Sequence, residues 1–230
     1  MLILALDSST QWLSVAVYDG RKATVIRERA GQAASERILP MTTRVLADAG
    51  TTLGALGGIA FGAGPGAFTG VRITCGVVQG LALGARLPVY GVPTLGAMAH
   101  SAGTAHGWMR VAACLDARMG EVYAGFYERV DGRWTAVRPI VACNPLALDA
   151  PDSSSWNGAG DGFERHPALA TRLALGAVDA AIAPDAAAIA QWAFPHLLAG
   201  EGVDAGSAQP LYVRDRVALT TAERADGVRL

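Results

Sequence analysis

A chain of 230 residues, 51% of them hydrophobic, is long enough to bury a sizeable core as one large or two small domains. Nineteen basic and twenty acidic side chains leave a formal charge of −1, which excludes the overall basic field of a stand-alone nucleic-acid binder. Gly, Gln or Arg interrupts every apolar run well before the about 20 residues that a membrane span needs, so no span is expected.

The N-terminal run Met1-Leu-Ile-Leu-Ala-Leu-Asp7 has no basic leader and no small-residue cleavage site, so it reads as a first strand and export is disfavoured. After polar Ser8-Ser9-Thr10-Gln11, the residues Leu13, Val15 and Val17 alternate with small ones up to Tyr18. Asp19-Gly20 signals a hairpin, and Ala23–Arg29 follows as a third strand. From Ser35 to Ala49 the positions Ile38, Leu39, Thr42, Val45, Leu46 and Ala49 fall at helical spacing, with Ser35 as N-cap and Gly50 as stop. Pro40 leaves the start of that helix open. Gly58–Phe61 is a strand, Val71–Gly84 a helix and Pro88–Val92 a strand, with Pro93 opening another helix.

The second half begins the same way. Val111–Leu115 is apolar and runs into Asp116, Val122–Tyr127 is a strand, Asp131-Gly132 a turn and Trp134–Val141 another strand. Asp7 and Tyr18 stand eleven residues apart, as do Asp116 and Tyr127, and each pair is followed by Asp-Gly. Either this is coincidence or the chain is internally duplicated. Pro151–Trp156 then reads as loop, Asn157–Gly162 as a glycine-rich turn, and Phe163–Ala174 and Asp185–Leu198 as helices. The duplication predicts an α/β chain of the actin-like (ASKHA, ribonuclease H-like) kind, with two β-β-β-α lobes and the second one reduced. The expected divisions are residues 1–103 for the first lobe, 104–205 for the second, and 206–230 for a segment returning to the first.

The densest motif is Gly62-Ala-Gly64-Pro65-Gly66-Ala-Phe68-Thr69-Gly70-Val-Arg72, with four glycines in nine residues ahead of a helix. Such a loop is either a backbone anion nest or a tightly packed connection. It is no P-loop, because Val71-Arg72 stand where Lys-Ser or Lys-Thr is needed. No Asp or Glu lies between Asp48 and Asp116, so a dinucleotide fingerprint fails as well. Asp7 and Asp116 close equivalent strands, where the duplicated nucleotide fold places carboxylates that hold Mg²⁺ or a water. The competing reading is that each caps its own hairpin. Gly160, in the Asn157–Gly162 turn, is the remaining candidate for a nucleotide contact. The four histidines show no metal-binding spacing.

Gly76, Gly80 and Gly84 recur every fourth residue and give Val71–Gly84 a stripe without side chains. Each glycine destabilises a helix by about 0.5–1 kcal/mol relative to alanine, so a close helical neighbour is expected, inside the chain or outside it. With Ser35–Ala49 supplying bulky side chains, the two helices form half of an intermolecular four-helix bundle. The interface expected is Ile38, Leu39, Thr42, Val45, Leu46, Val71, Arg72, Cys75, Gly76, Gly80 and Gly84. Cys75, Cys114 and Cys143 lack CxxC spacing and fit reduced cytoplasmic thiols.

Nearly the whole chain resembles the TsaB (YeaZ) family of bacterial threonylcarbamoyladenosine-synthesis proteins. The resemblance rests on Ile3-Leu-Ala-Leu-Asp7-Ser-Ser-Thr10, Ser35-Glu-Arg-Ile-Leu-Pro40-Met and Gly62–Arg72. It continues through Gly80-Leu-Ala-Leu-Gly84, Pro88–Pro93, Leu115-Asp-Ala-Arg118-Met-Gly-Glu-Val-Tyr123 and Pro210-Leu-Tyr-Val-Arg214. It implies an actin-like fold without catalysis, and no cofactor of its own. ATP or ADP and metal would sit on partner subunits. The implied partner is TsaD, the subunit that transfers threonylcarbamoyl to N6 of the adenosine beside a tRNA anticodon, and the ATPase TsaE joins that pair. A homodimer forms when TsaD is absent, and tRNA is met only within the complex. TsaD carries an H-x₃-H metal pair on its first long helix, whereas Ser35–Ala49 has no histidine. Ala34 replaces a histidine common in the family, and Ala67 the usual serine of Pro-Gly-Ser-Phe-Thr-Gly. The alternative is an enzyme of the same fold, a small-metabolite kinase or a peptidase.

Overall fold

The computed structural model describes residues 1–214. In the first half, β1 (Ile3–Asp7), β2 (Trp12–Tyr18) and β3 (Ala23–Arg29) precede α1 (Ala34–Asp48), β4 (Gly58–Gly64), α2 (Phe68–Ala85) and β5 (Val89–Pro93). Their sheet has the order β3-β2-β1-β4-β5. β1 runs antiparallel to β2 and parallel to β4, which in turn is parallel to β5. Pairing therefore changes from antiparallel to parallel at β1, and the α1 and α2 crossovers cover one face.

α3 (Thr94–His106) leads into β6 (Arg110–Arg118), β7 (Glu121–Val130), β8 (Arg133–Ala136), β9 (Val141–Cys143) and β10 (Asn157–Ala159). The short helices α4 (Gly162–Arg165) and α5 (Ala168–Arg172), strand β11 (Val178–Asp179) and helix α6 (Ala186–Leu198) follow. The second sheet is ordered β11-β10-β6-β7-β8, with β9 also paired to β7. Matching β6 to β1, β7 to β2, β8 to β3, β10 to β4 and β11 to β5 reproduces the first order and orientation. The chain is thus a duplicated actin-like α/β fold, and its second lobe is reduced to the short helices α4 and α5, little more than one turn each, where the first has α2.

β1 is buried on both faces, as its uninterrupted apolar run requires. Leu4 and Leu6 meet Ile38, Met41 and Val45 of α1 and Cys75 and Val78 of α2. Ile3 and Ala5 meet Ile189 and Ala193 of α6 on the other face. In the second sheet Val111, Ala113 and Leu115 pack on Leu95 and Met98 of α3, while Ala112 and Cys114 face Phe126, Trp156 and Phe163. α3 and α6 lie between the sheets, joined by a 2.8 Å bond between His100 Nε2 and Gln191 Oε1. α6 was expected within the second lobe, yet its alanine-rich surface packs against the first sheet.

Several local expectations need correction. α1 begins at Ala34 with Ala33 as its N-cap, so Ser35 is not the cap. A 3₁₀ turn, Gly31–Ala33, leads into the helix and leaves Ser35 in its first turn. β4 runs on to Gly64 and α2 starts at Phe68, which makes the glycine loop shorter than its sequence suggests. Pro139 cannot donate to a ladder and lies in the gap between β8 and β9, where one strand was expected. Asn157–Ala159 is a strand parallel to β6 rather than a turn. Pro167 divides the helix expected over Phe163–Ala174 into α4 and α5, since His166 before it leaves the helical region. By length and composition α2 is the one described helix able to cross a bilayer, at mean hydropathy 1.3. Here its apolar side packs on the first sheet. Of the segment 206–230, residues 215–230 lie outside the described residues.

Candidate functional site

The carboxyl ends of β1, β4 and β6 carry the three features singled out in the sequence, respectively Asp7, the glycine loop and Asp116. Asp7 is fully buried. Its Oδ1 accepts the Ser9 N–H at 3.1 Å and the Ser9 hydroxyl at 2.9 Å. Its Oδ2 is buried without a partner. A Cβ on Gly62 would stand 1.9 Å from that oxygen and 3.2 Å from Ile189 Cδ1, so Gly62 and α6 wall it in. Burial raises the Asp7 carboxyl from 3.8 to about 7, against the lowering effect of the Ser9 bonds. Its observed bonds are those of a turn cap.

The glycine loop packs on the β1–β2 connection. A Cβ on Gly66 would lie 2.3 Å from the Ser9 carbonyl, and one on Gly70 would lie 1.8 Å from the Ser8 carbonyl. The Ala67 N–H donates to the Ser9 carbonyl at 2.6 Å. The Ser8 hydroxyl donates to the Gly70 carbonyl at 2.8 Å and lies 2.6 Å from Thr74 Oγ1. Gly64, at φ 108°, donates its N–H to Thr94 Oγ1 at 3.1 Å. Close backbone contact explains these glycines, and of the two readings offered by the sequence it selects the packed connection.

Asp116 differs from Asp7 in the face it shares. Asp7 follows Ile3 and Ala5 toward α6, whereas Asp116 follows Ala112 and Cys114 toward the opposite layer. Asp116 Oδ1 accepts the Arg118 N–H at 2.9 Å, and Oδ2 lies 3.3 Å from Arg118 Nη1. It caps its own hairpin, whose residues Arg118, Met119 and Gly120 all have positive φ. Gly160 has φ 111°, and a Cβ there would meet the Cys114 carbonyl at 2.2 Å. Its shape serves packing on β6, not an opening toward a nucleotide. Tyr18 and Tyr127 are not register equivalents: they pair with Ile3 and Val111, four and five residues before the respective aspartates.

The other candidate surface is the α1–α2 layer. Ile38, Thr42, Val45, Val71 and Cys75 are buried in the chain's own core, which removes them from any outward interface. They are apolar at helical spacing because they face the sheet. Leu46 is half-buried. The outward side instead carries Leu39, Pro40, Thr43 and Ala47 on α1, and Arg72, Gly76, Gly80, Leu83 and Gly84 on α2. Among the described residues nothing lies within 4 Å of a Cβ built on Gly76, Gly80 or Gly84. The helix neighbour that the stripe implied is therefore not among the described elements. Arg72 lies 3.3 Å from the centroid of exposed Phe68 and 5.1 Å from that of exposed Tyr212. Sequence reading missed Phe68, Leu211 and Tyr212; the Pro210–Arg214 motif was its one signal for the last two.

Residues 17–150 match the family model for TsaD, a tRNA N6-adenosine threonylcarbamoyltransferase. The chain is 38% identical to the tRNA threonylcarbamoyladenosine biosynthesis protein TsaB of Escherichia coli K12, over 95% of this chain and 96% of that one. It is 36% identical to the protein of the same name in Haemophilus influenzae, over 94% and 95%. Among solved structures, YeaZ from Pseudomonas aeruginosa superposes with a TM-score of 0.86 at 40% identity, covering 92% of this chain and 99% of that one. With the duplicated sheets and the packed glycine loop in place, these likenesses establish that the chain belongs to the TsaB family.

Proposed function

We propose that this chain is a non-catalytic subunit in tRNA threonylcarbamoyladenosine synthesis, a docking platform that binds and supports TsaD together with TsaE. One observation carries the reading: three glycines on an exposed helix face leave a groove with no described neighbour. Each weakens α2 by about 0.5–1 kcal/mol relative to alanine. A helix backbone from outside the chain is the neighbour that such a groove accommodates, and Leu39, Leu83 and Phe68 add exposed apolar surface beside it. The names borne by the relatives supply the process. A second copy of this chain uses the same face when TsaD is absent.

The strand-end site supports the accessory role. Asp7 is walled off by Gly62 and Ile189, and Asp116 is engaged with Arg118. Nucleotide and metal therefore belong to the partner subunits, and tRNA meets this chain only within the assembly. The three cysteines are unbonded, in keeping with a reducing cytoplasm. Reconstituted tRNA modification tests the reading. Product should form with TsaD, TsaE and this chain, fail without the chain, and fall sharply with Gly80→Leu. Equal product with and without the chain would overturn it.

A further inference from the structure

In open α/β sheets ligands enter outside the carboxyl ends of the strands, where the strand order reverses. The first sheet switches between β1 and β4, and the second between β6 and β10. The chain's own segment Ala208–Arg214 runs from one of these points to the other. It is anchored on α2, where Gln79 Nε2 donates to the Ala208 carbonyl at 2.8 Å. It then crosses the end of β4, where the Leu211 N–H donates to the Ala63 carbonyl at 2.7 Å. The Leu211 carbonyl packs 3.1 Å from the Cβ position of Gly64, a spot that only glycine leaves open. At its far end the Arg214 guanidinium donates to the Ala117 carbonyl at 3.3 Å, next to Asp116, and pairs with Glu121 on β7.

We infer that Ala208–Arg214 is an interlobe strap, latched by Arg214, that closes the strand-end mouth and holds the two lobes at one separation. Its two ends grip different sheets, so opening of the lobes has to break either the Leu211–Ala63 bond or the Arg214 latch. The latch is the weaker end, since Arg214 and Glu121 both retain solvent contact. The strap occupies the place where a working relative of this fold needs access, and it couples the second lobe's hairpin to the α2 layer through Gln79.

The test compares wild type, Arg214→Lys, Arg214→Glu and the charge swap Arg214→Glu with Glu121→Arg, all in the full chain. Amide exchange of Leu211 is read by NMR. Interlobe distance is read by spin labels at Val25→Cys and Leu146→Cys, both exposed and outside the α1–α2 face, in a Cys143→Ser background. Arg214→Glu should speed Leu211 exchange about tenfold or more, the ratio that a charge-assisted hydrogen bond supports, and should broaden the distance distribution. Arg214→Lys should do so partly, because the ammonium is more strongly hydrated and its flexible stem lacks the planar, preorganised guanidinium. The swap should restore both readouts in part, because it regains the ion pair while a carboxylate at position 214 cannot donate to the Ala117 carbonyl. Unchanged exchange and distance in Arg214→Glu, or a swap that restores neither, overturns the inference.

Discussion

The two hairpins that end in Asp7 and Asp116 occupy matching places in sheets of one order, yet they have diverged in opposite directions. At the first, Asp7 is sealed between Gly62 and Ile189 with one oxygen unpartnered. At the second, Asp116 is tied to exposed Arg118 in a hairpin of positive-φ residues. Equivalent strands thus end in a fully buried carboxyl in one lobe and, one residue out of register and on the opposite face, in a largely buried hairpin cap in the other. Topology survives such divergence because sheet order depends on long apolar strands, whereas the chemistry of a strand end depends on a few neighbours.

The largest way to break the comparison is at the first hairpin. Gly70→Ala sets a methyl 1.8 Å from a backbone carbonyl that cannot swing aside. A loss of about 3 kcal/mol or more in urea unfolding is expected, since overpacking against backbone exceeds the about 1–3 kcal/mol of a core overfill. Second comes the pH dependence of Asp7. The folded carboxyl keeps its proton up to about pH 7, while the unfolded one releases it near 3.8. The native state thus binds more protons in that window, and this group's stabilising effect, complete below 3.8, is lost as pH rises to 7. Asp7→Asn should gain on wild type across pH 4–7, by about 4 kcal/mol at most at 1.4 kcal/mol per unit. Parallel stability curves for the two proteins would contradict the buried, unpartnered carboxyl. The counterpart Asp116→Ala should lose only about 1 kcal/mol, because it gives up one hairpin hydrogen bond and a pair with the exposed Arg118 guanidinium. The smallest effect is Gly76→Ala, which should raise the melting temperature through a gain of about 0.5–1 kcal/mol in an open helix position.

Much of the fold was legible because its signals are local. Strand runs ending in aspartate, the Asp-Gly turns and the Asp185 N-cap of α6, whose carboxylate accepts the Ala187 N–H at 2.7 Å, all sit within a few residues. The candidate surface was only half legible. Helical periodicity identified one apolar face of α1 but could not say that Ile38, Thr42 and Val45 would be consumed by the chain's own sheet. The glycine stripe was readable as such, while its outward direction depended on where α1 and α6 settled. The latch itself was beyond reach, since Arg214 and Glu121 lie 93 residues apart, although both stand in motifs of the family resemblance and residues 206–230 were expected to return to the first lobe.

Titration calorimetry of TsaD into wild type and Gly80→Leu decides the docking claim most directly. The account predicts a one-to-one complex with wild type and at least about tenfold weaker binding by the variant, as expected when a central interface position is blocked. Equal affinities for a correctly folded variant would contradict it.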